Sequence, residues 1–238
     1  MKKSIIWLIA FLFSITMDAQ EKEPSPIDWK AIETFATENS DSLRNLIKQM
    51  ASYDIDHTLT IEQRILAFYG QSYISNDEES SAERELPTLF HEGKYKETIE
   101  SANKCLEINP MSIDALNYAV MSMYEIRQNG DTLTYSRDDI RNYTNRVALI
   151  LNTIATTGDG SKEHPFAVTK VSDEYNFMRY YLDLWEIERQ FVTTIAGRPC
   201  DGFKLQKGSE YYSSLDIYFD ITRVFEIERV SFTPKKKK

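Results

Sequence analysis

From residue 27 to about residue 155, apolar positions recur every three or four residues, the spacing of helices that bury one face. Trp29, Ile32, Phe35 and Ala36 form the first stripe, and Ser25-Pro26 suits its start because Pro fits the first helical position. Ser40-Asp41-Ser42 is a capping cluster ahead of Leu43, Leu46, Ile47 and Met50. Thr60 and Gln63 have capping-box spacing and open a third helix, with Ile61, Ile65, Leu66, Phe68 and Tyr69 inward. Gly70 either ends that helix or admits a close neighbour. Asn76–Glu83 is polar and acidic and predicts a loop or linker. Beyond it lie Leu86, Leu89 and Phe90, a turn at Gly93-Lys94-Tyr95, and then Ile99, Ala102, Cys105 and Leu106 before Asn109-Pro110. Ser112 caps the next helix, Asn129-Gly130-Asp131 is a turn, and Arg137–Ile154 is a long amphipathic helix.

The interval from Gly93 to Pro110 has the spacing of turn glycine and closing proline in a tetratricopeptide repeat, and Cys105 falls where that hairpin wants a small buried residue. The pattern predicts one clear and one degenerate repeat flanked by related helices.

The period changes at Thr157-Gly158-Asp159-Gly160. Phe166–Val171, Gln190–Ile195, Gly202–Leu205 and Ser214–Ile221 are short β-like runs between Gly and Pro signals. Arg198-Pro199 separates the second run from the third. Asp173–Leu182 predicts one helix, and Thr222–Val230 predicts a strand continuation or a terminal helix. The fold class expected is α+β, mainly α: tetratricopeptide-like hairpins, then a small antiparallel sheet with one or two helices. Four segments follow: a signal peptide over 1–19, a helical region over 20–156, a small α+β region over 157–234 packed on it, and a basic tail over 235–238.

The first segment is assigned from Lys2-Lys3, the apolar run Ile5–Phe13 and the polar boundary at Asp18-Ala19-Gln20, which together read as a secretory signal. Cleavage after Ala19 is expected, and the run is short for a membrane span of about 20 residues. The 238-residue chain carries a formal charge of −9. Losing two lysines and one aspartate moves it to about −10, a poor balance for neutralising nucleic-acid phosphates. Glu21–Pro26 reads as a flexible leader and Lys235–Lys238 as a solvated tail. The two cysteines, Cys105 and Cys200, are too few for a disulfide framework and read as separate buried thiols.

Reactive constellations are weak. No nucleophile elbow, zinc-protease helix or dinucleotide fingerprint is present. Gly158-Asp159-Gly160 reads as a turn and not a calcium loop, and none of His57, His91 and His164 is placed as a partner for either cysteine. Asp173-Glu174-Tyr175 stands at a helix start, where negative charge suits the backbone dipole. Asp201, Asp216 and Asp220, with Asp159, are the best carboxylates for a hydrolase-like alternative. Asp216 and Asp220 share a strand face with Tyr218, and the pattern predicts that this face is in water. No catalytic residue, metal ligand or cofactor is assigned. Tyrosine is enriched, at 14 residues. Phe68, Tyr69, Tyr73, Tyr118 and Tyr124 are the candidates for a recognition groove, since a tyrosine ring offers contact area with a polar tip.

Taken together, Thr58–Glu62 leading to Phe68-Tyr69-Gly70, the Gly-Lys-Tyr hairpin closing at Asn109-Pro110, Gly158-Asp159-Gly160 before Pro165–Val168, Asp173-Glu174-Tyr175, Cys200-Asp201 and Tyr218-Phe219-Asp220 resemble a family of exported bacterial proteins, of Bacteroides type, that has no assigned function. The family's Tyr-Tyr-Gly begins with Phe68 here, which removes one hydroxyl. The resemblance implies export and a helical repeat-like part joined to a small β part, and transfers no activity. The functional expectation is a non-catalytic module of the periplasm or cell envelope that binds a protein or peptide partner, with no nucleic acid and no membrane segment after signal cleavage.

Overall fold

The computed structural model describes residues 26–52, 59–74, 77–131 and 134–232. The signal peptide, its cleavage point, the leader up to Ser25, His57 and the basic tail lie outside the described residues. Two compact units are formed, one over Ala31–Thr153 and one over residues 26–30 with 154–232.

In the first unit the helical periods become α1 (Trp29–Glu38), α2 (Ser40–Ala51), α3 (Ile61–Gln71), α4 (Asp77–His91), α5 (Tyr95–Ile108), α6 (Ile113–Gln128) and α7 (Arg137–Ala155). The expected stripes are the buried ones: Ile32 and Ala36 on α1, and Leu43, Ile47 and Met50 on α2. At the start of α3, Thr60 Oγ1 accepts from the Gln63 amide at 3.3 Å while Gln63 Oε1 accepts from the Thr60 amide at 2.9 Å, so the capping box forms as read. Gly70 lies within α3, and a Cβ there would stand 2.7 Å from Leu43 Cδ1. It admits a close neighbour; it does not end the helix.

Two local readings shift. The first helix starts at Trp29, three residues after Pro26. The acidic stretch expected to be a loop over Asn76–Glu83 is helical from Asp77, as the first half of a helix that carries Pro87 further along. Polarity suggested a loop because its partners lie far along the chain. Glu83 accepts from the Ser112 hydroxyl, and Glu85 from Ser101 at 2.5 Å.

The α4–α5 hairpin closes as the repeat spacing predicts. Gly93 takes φ of +74°, and the Lys94 amide donates to Leu89 O at 3.0 Å, a helix end that glycine adopts without the Cβ penalty. Cys105 is fully buried. At the next corner Asn109 Oδ1 accepts from the Met111 amide and Ser112 Oγ caps α6 through Ala115 N. This corner is gripped from two sides: Gln71 Nε2 of α3 donates to Ile108 O at 3.1 Å, and Arg146 of α7 donates to Pro110 O at 2.9 Å.

In the second unit, β1 (Phe166–Ala167), α8 (Val171–Tyr180), β2 (Ile187–Ile195), β3 (Arg198–Leu205), β4 (Asp216–Asp220) and α9 (Thr222–Phe232) build a four-stranded sheet in the order β1-β4-β3-β2. The β2–β3 and β3–β4 pairs are antiparallel, but β1 runs parallel to β4, so the sheet is mixed and not purely antiparallel. The first β-like run yields only two strand residues. Val171 already starts α8, and Asp173 Oδ2 accepts from the Thr169 and Lys170 amides to cap it. Arg198 and Pro199 lie inside β3. The β2–β3 turn is Ala196-Gly197, with φ of 49° and 81°, the paired left-handed conformation that suits the twist of a hairpin. Pro199 is tolerated because it stands at the end of the β3–β4 ladder, where its carbonyl accepts from the Ile221 amide at 3.1 Å and no N–H is required of it.

Gly158-Asp159-Gly160 is a structural turn. The Asp159 and Gly160 amides both donate to His164 O, at 2.9 and 3.0 Å, and a Cβ on Gly158 would lie 2.4 Å from that same oxygen. Gly158→Ala should therefore cost about 1–3 kcal/mol in chemical denaturation, because the obstacle is backbone and cannot rotate away.

Candidate functional site

Directly paired residues of adjacent strands share a sheet face, and successive residues alternate faces. Asp201 pairs with Phe219, whereas Asp220 pairs with Cys200 and Asp216 with Lys204. Asp201 therefore faces one side of the sheet while Asp216 and Asp220 face the other, so the carboxylate cluster considered from sequence is divided by the sheet itself.

The Asp220 face is also dry where water was expected. Asp220 and Tyr218 are both buried. Arg198 Nη1 donates to Asp220 Oδ2 at 3.0 Å and the Thr222 amide to Oδ1 at 2.9 Å. Tyr218 meets the Phe191 ring edge-on, with the Lys162 ammonium 5.7 Å from its centroid. Alternation placed these residues on a polar face correctly; it missed that this face supplies its own partners. Of Asp216, Tyr218 and Asp220, Asp216 alone is half-exposed, with the half-exposed Lys204 at 3.8 Å.

On the opposite face, α8 lies over Phe203 and Phe219. Phe177 contacts Phe166, Phe219 and Tyr181, and Tyr175 meets Phe203 edge-on at 5.6 Å. Glu174 precedes Phe177 by three residues, so it enters this apolar layer on the same stripe. It is fully buried, and Asp201 beside it is 4% exposed. Gln190 Nε2 of β2 donates to Asp201 Oδ2 at 2.7 Å, and the Tyr175 hydroxyl donates to Gln190 Oε1 at 2.6 Å. Burial, and then repulsion from Asp201 and Asp173, pushes the Glu174 carboxyl up to about 9. Burial raises Asp201 as well, opposed by the hydrogen bond from Gln190.

This chain of Tyr175, Gln190, Asp201 and Glu174 is the candidate site of the second unit. Sequence reasoning placed Asp201 in a different cluster and read Glu174, with Asp173, as helix-start charge, whereas Asp173 alone caps the helix and Glu174 is buried. The available signal was the 174, 177, 178 spacing, which sets a glutamate on an apolar stripe. Burial, and then Asp220, push the Cys200 thiol up to about 11, which disfavours the thiolate form. Both cysteines are buried, and neither is in a disulfide. No group of three His, Cys, Asp or Glu side chains among the described residues is arranged to hold a metal.

The groove candidates of the first unit divide. Phe68 and Tyr69 are core residues, 3% and 0% exposed, with rings 4.8 Å apart, so these two cannot line a groove. Tyr73, Tyr118 and Tyr124 are half-exposed. Tyr118 of α6 joins Phe90 of α4 at 5.8 Å, and Phe90 meets Tyr95 of α5 at 5.5 Å, all three rings half-exposed at one end of the hairpin.

The family model described as a domain of unknown function, DUF4919, matches residues 30–229. The chain belongs to that family. Neither the curated proteins nor the solved structures gave a match. In this DUF4919 chain the matched span contains both the Phe90–Tyr95–Tyr118 group and the Glu174–Asp201 pair. No helix among the described residues is long and apolar enough to cross a membrane.

Proposed function

We propose that this DUF4919 protein is an exported, non-catalytic module of the periplasm or cell envelope that binds a protein or peptide through its helical unit. The observation that supports this reading is the half-exposed aromatic group Phe90, Tyr95 and Tyr118, gathered from three helices of a tetratricopeptide-like stack. Aromatic rings held on rigid helices lose little side-chain entropy on contact and are enriched where partners dock. Scaffolds of stacked helical hairpins use their surfaces in this way. Asp201 faces the opposite side of the sheet from Asp216 and Asp220, which favours the binding reading over a hydrolase-like one built on those three carboxylates.

The test is capture of partners from the envelope extract of the source cells by the mature chain, run beside Tyr118→Ala. Truncation at a docking anchor costs about 2 kcal/mol or more, roughly thirtyfold in affinity. A partner retained by the wild type and lost by a folded Tyr118→Ala is the expected result. A partner held equally by both moves the interface away from this group. Amino-terminal sequencing of the exported chain should begin at Gln20.

A further inference from the structure

Two carboxyls buried against each other with no compensating cation cannot both be ionised. Neither oxygen of Glu174, nor Asp201 Oδ1, receives a hydrogen bond from any N–H or O–H of the described residues. The surroundings offer no remedy. On α8 the neighbouring titratable groups are Asp173, Tyr175 and Arg179. Asp173 is committed to the Thr169 and Lys170 amides, and the exposed Arg179 guanidinium lies over the Tyr175 and Trp185 rings. β3 contributes Asp201 itself, β4 contributes the apolar Phe219, and β2 contributes the neutral Gln190, whose amide is directed at the other Asp201 oxygen. A single proton between the two carboxyls satisfies a donor and an acceptor at once.

We propose that Glu174 holds a proton in the folded protein and donates it to Asp201 Oδ1, forming an alkaline-sensitive latch that joins α8 to β3 and opens when the proton is lost. Opening follows because the resulting glutamate anion has to reach water, which means leaving the apolar layer around Phe177 and Phe219. The covering pair, half-buried Tyr175 and exposed Gln190, provides the way out.

The sign of the pH dependence is fixed by the raised carboxyl, whose ordinary value is 4.5 and whose folded value is about 9. Between those values the folded chain holds a proton that the unfolded chain has released. The contribution is therefore complete below the ordinary value and is lost as pH rises toward the folded one. The steepest loss for one proton is about tenfold in the folding constant per pH unit.

Glu174→Gln is the decisive variant, since the amide keeps the size of the side chain and donates an N–H to the same oxygen without titrating. The folding constant of the full chain is measured by denaturation between about pH 5 and about pH 9, and amide exchange over α8 is followed in the same series. The wild type should lose stability relative to Glu174→Gln across this window, and its α8 amides should exchange faster than the variant's at the alkaline end. The infrared carbonyl band of a protonated acid should persist in the wild type at about pH 7, where solvated carboxyls have lost theirs. Equal pH slopes in the two proteins, or unchanged α8 exchange, overturn the latch. If Glu174→Gln does not fold, the wild-type band decides alone: its absence at neutral pH overturns the proposal, and its loss near the value given above supports it.

Discussion

Phe219→Ala is expected to remove about 3–5 kcal/mol of stability, the range for emptying a buried aromatic site that its neighbours cannot refill. Phe219 is fully buried at the centre of the sheet. Its ring lies 5.9 Å from Phe166, 6.2 Å from Phe177 and 5.8 Å from Phe203, so β1, α8 and β3 all lean on one side chain. Each of those rings is fixed by its own strand or helix, and collapse into the vacancy would require backbone movement of three elements. Edge-on contacts add a smaller loss beyond the area uncovered. Urea denaturation followed by near-ultraviolet circular dichroism measures the change. A loss below about 1 kcal/mol would mean that the cluster repacks freely, against the close-packed description of this unit.

Arg198→Met is expected to cost about 3–5 kcal/mol, for a different reason. The two groups meet at 3.0 Å, with the Asp220 side chain 1% exposed and Arg198 27% exposed. Removing the cation leaves a carboxylate in the interior with the Thr222 amide as its remaining hydrogen-bond donor. The cost comes from the stranded charge and not from the net worth of the ion pair, which in buried settings is often small. Asp220→Asn in the Arg198→Met background should therefore recover much of the loss, because it removes the charge that had been stranded. Thermal or chemical denaturation of the two variants tests this. A double variant no more stable than Arg198→Met would refute the stranded-charge account.

Much of the helical unit was legible along the chain because its determinants are local. The Thr60–Gln63 box, the Gly93 turn and the Ser112 cap each act within five residues, and each forms in the structure. The acidic first half of α4 was not legible, since Glu83 finds its partner at the start of α6 and Glu85, just beyond the stretch, finds its own on α5. Among the groove candidates, Phe68 and Tyr69 follow helical spacing whether they face a partner or the core, so spacing could not separate the two outcomes. Burial did. In the second unit the alternation around Asp216, Tyr218 and Asp220 assigned a common face correctly and its environment wrongly, because the partners Arg198 and Phe191 arrive through strand pairing.

The sequence by itself determined the change from helical to strand periodicity near Thr157, the helical hairpin closing at Asn109-Pro110 and the buried character of both cysteines. Those features follow from spacing, turn chemistry and side-chain type, which are properties of neighbours in the chain. Tertiary structure alone decided that Asp201 leaves Asp216 and Asp220 and meets Glu174. Register sets the face of a strand residue, and a one-residue shift would exchange the two faces. The high value of the Glu174 carboxyl likewise depends on burial and on Asp201, 27 residues away along the chain. No local pattern encodes that distance, because a proton shared between two carboxyls exists only once folding has taken the water away.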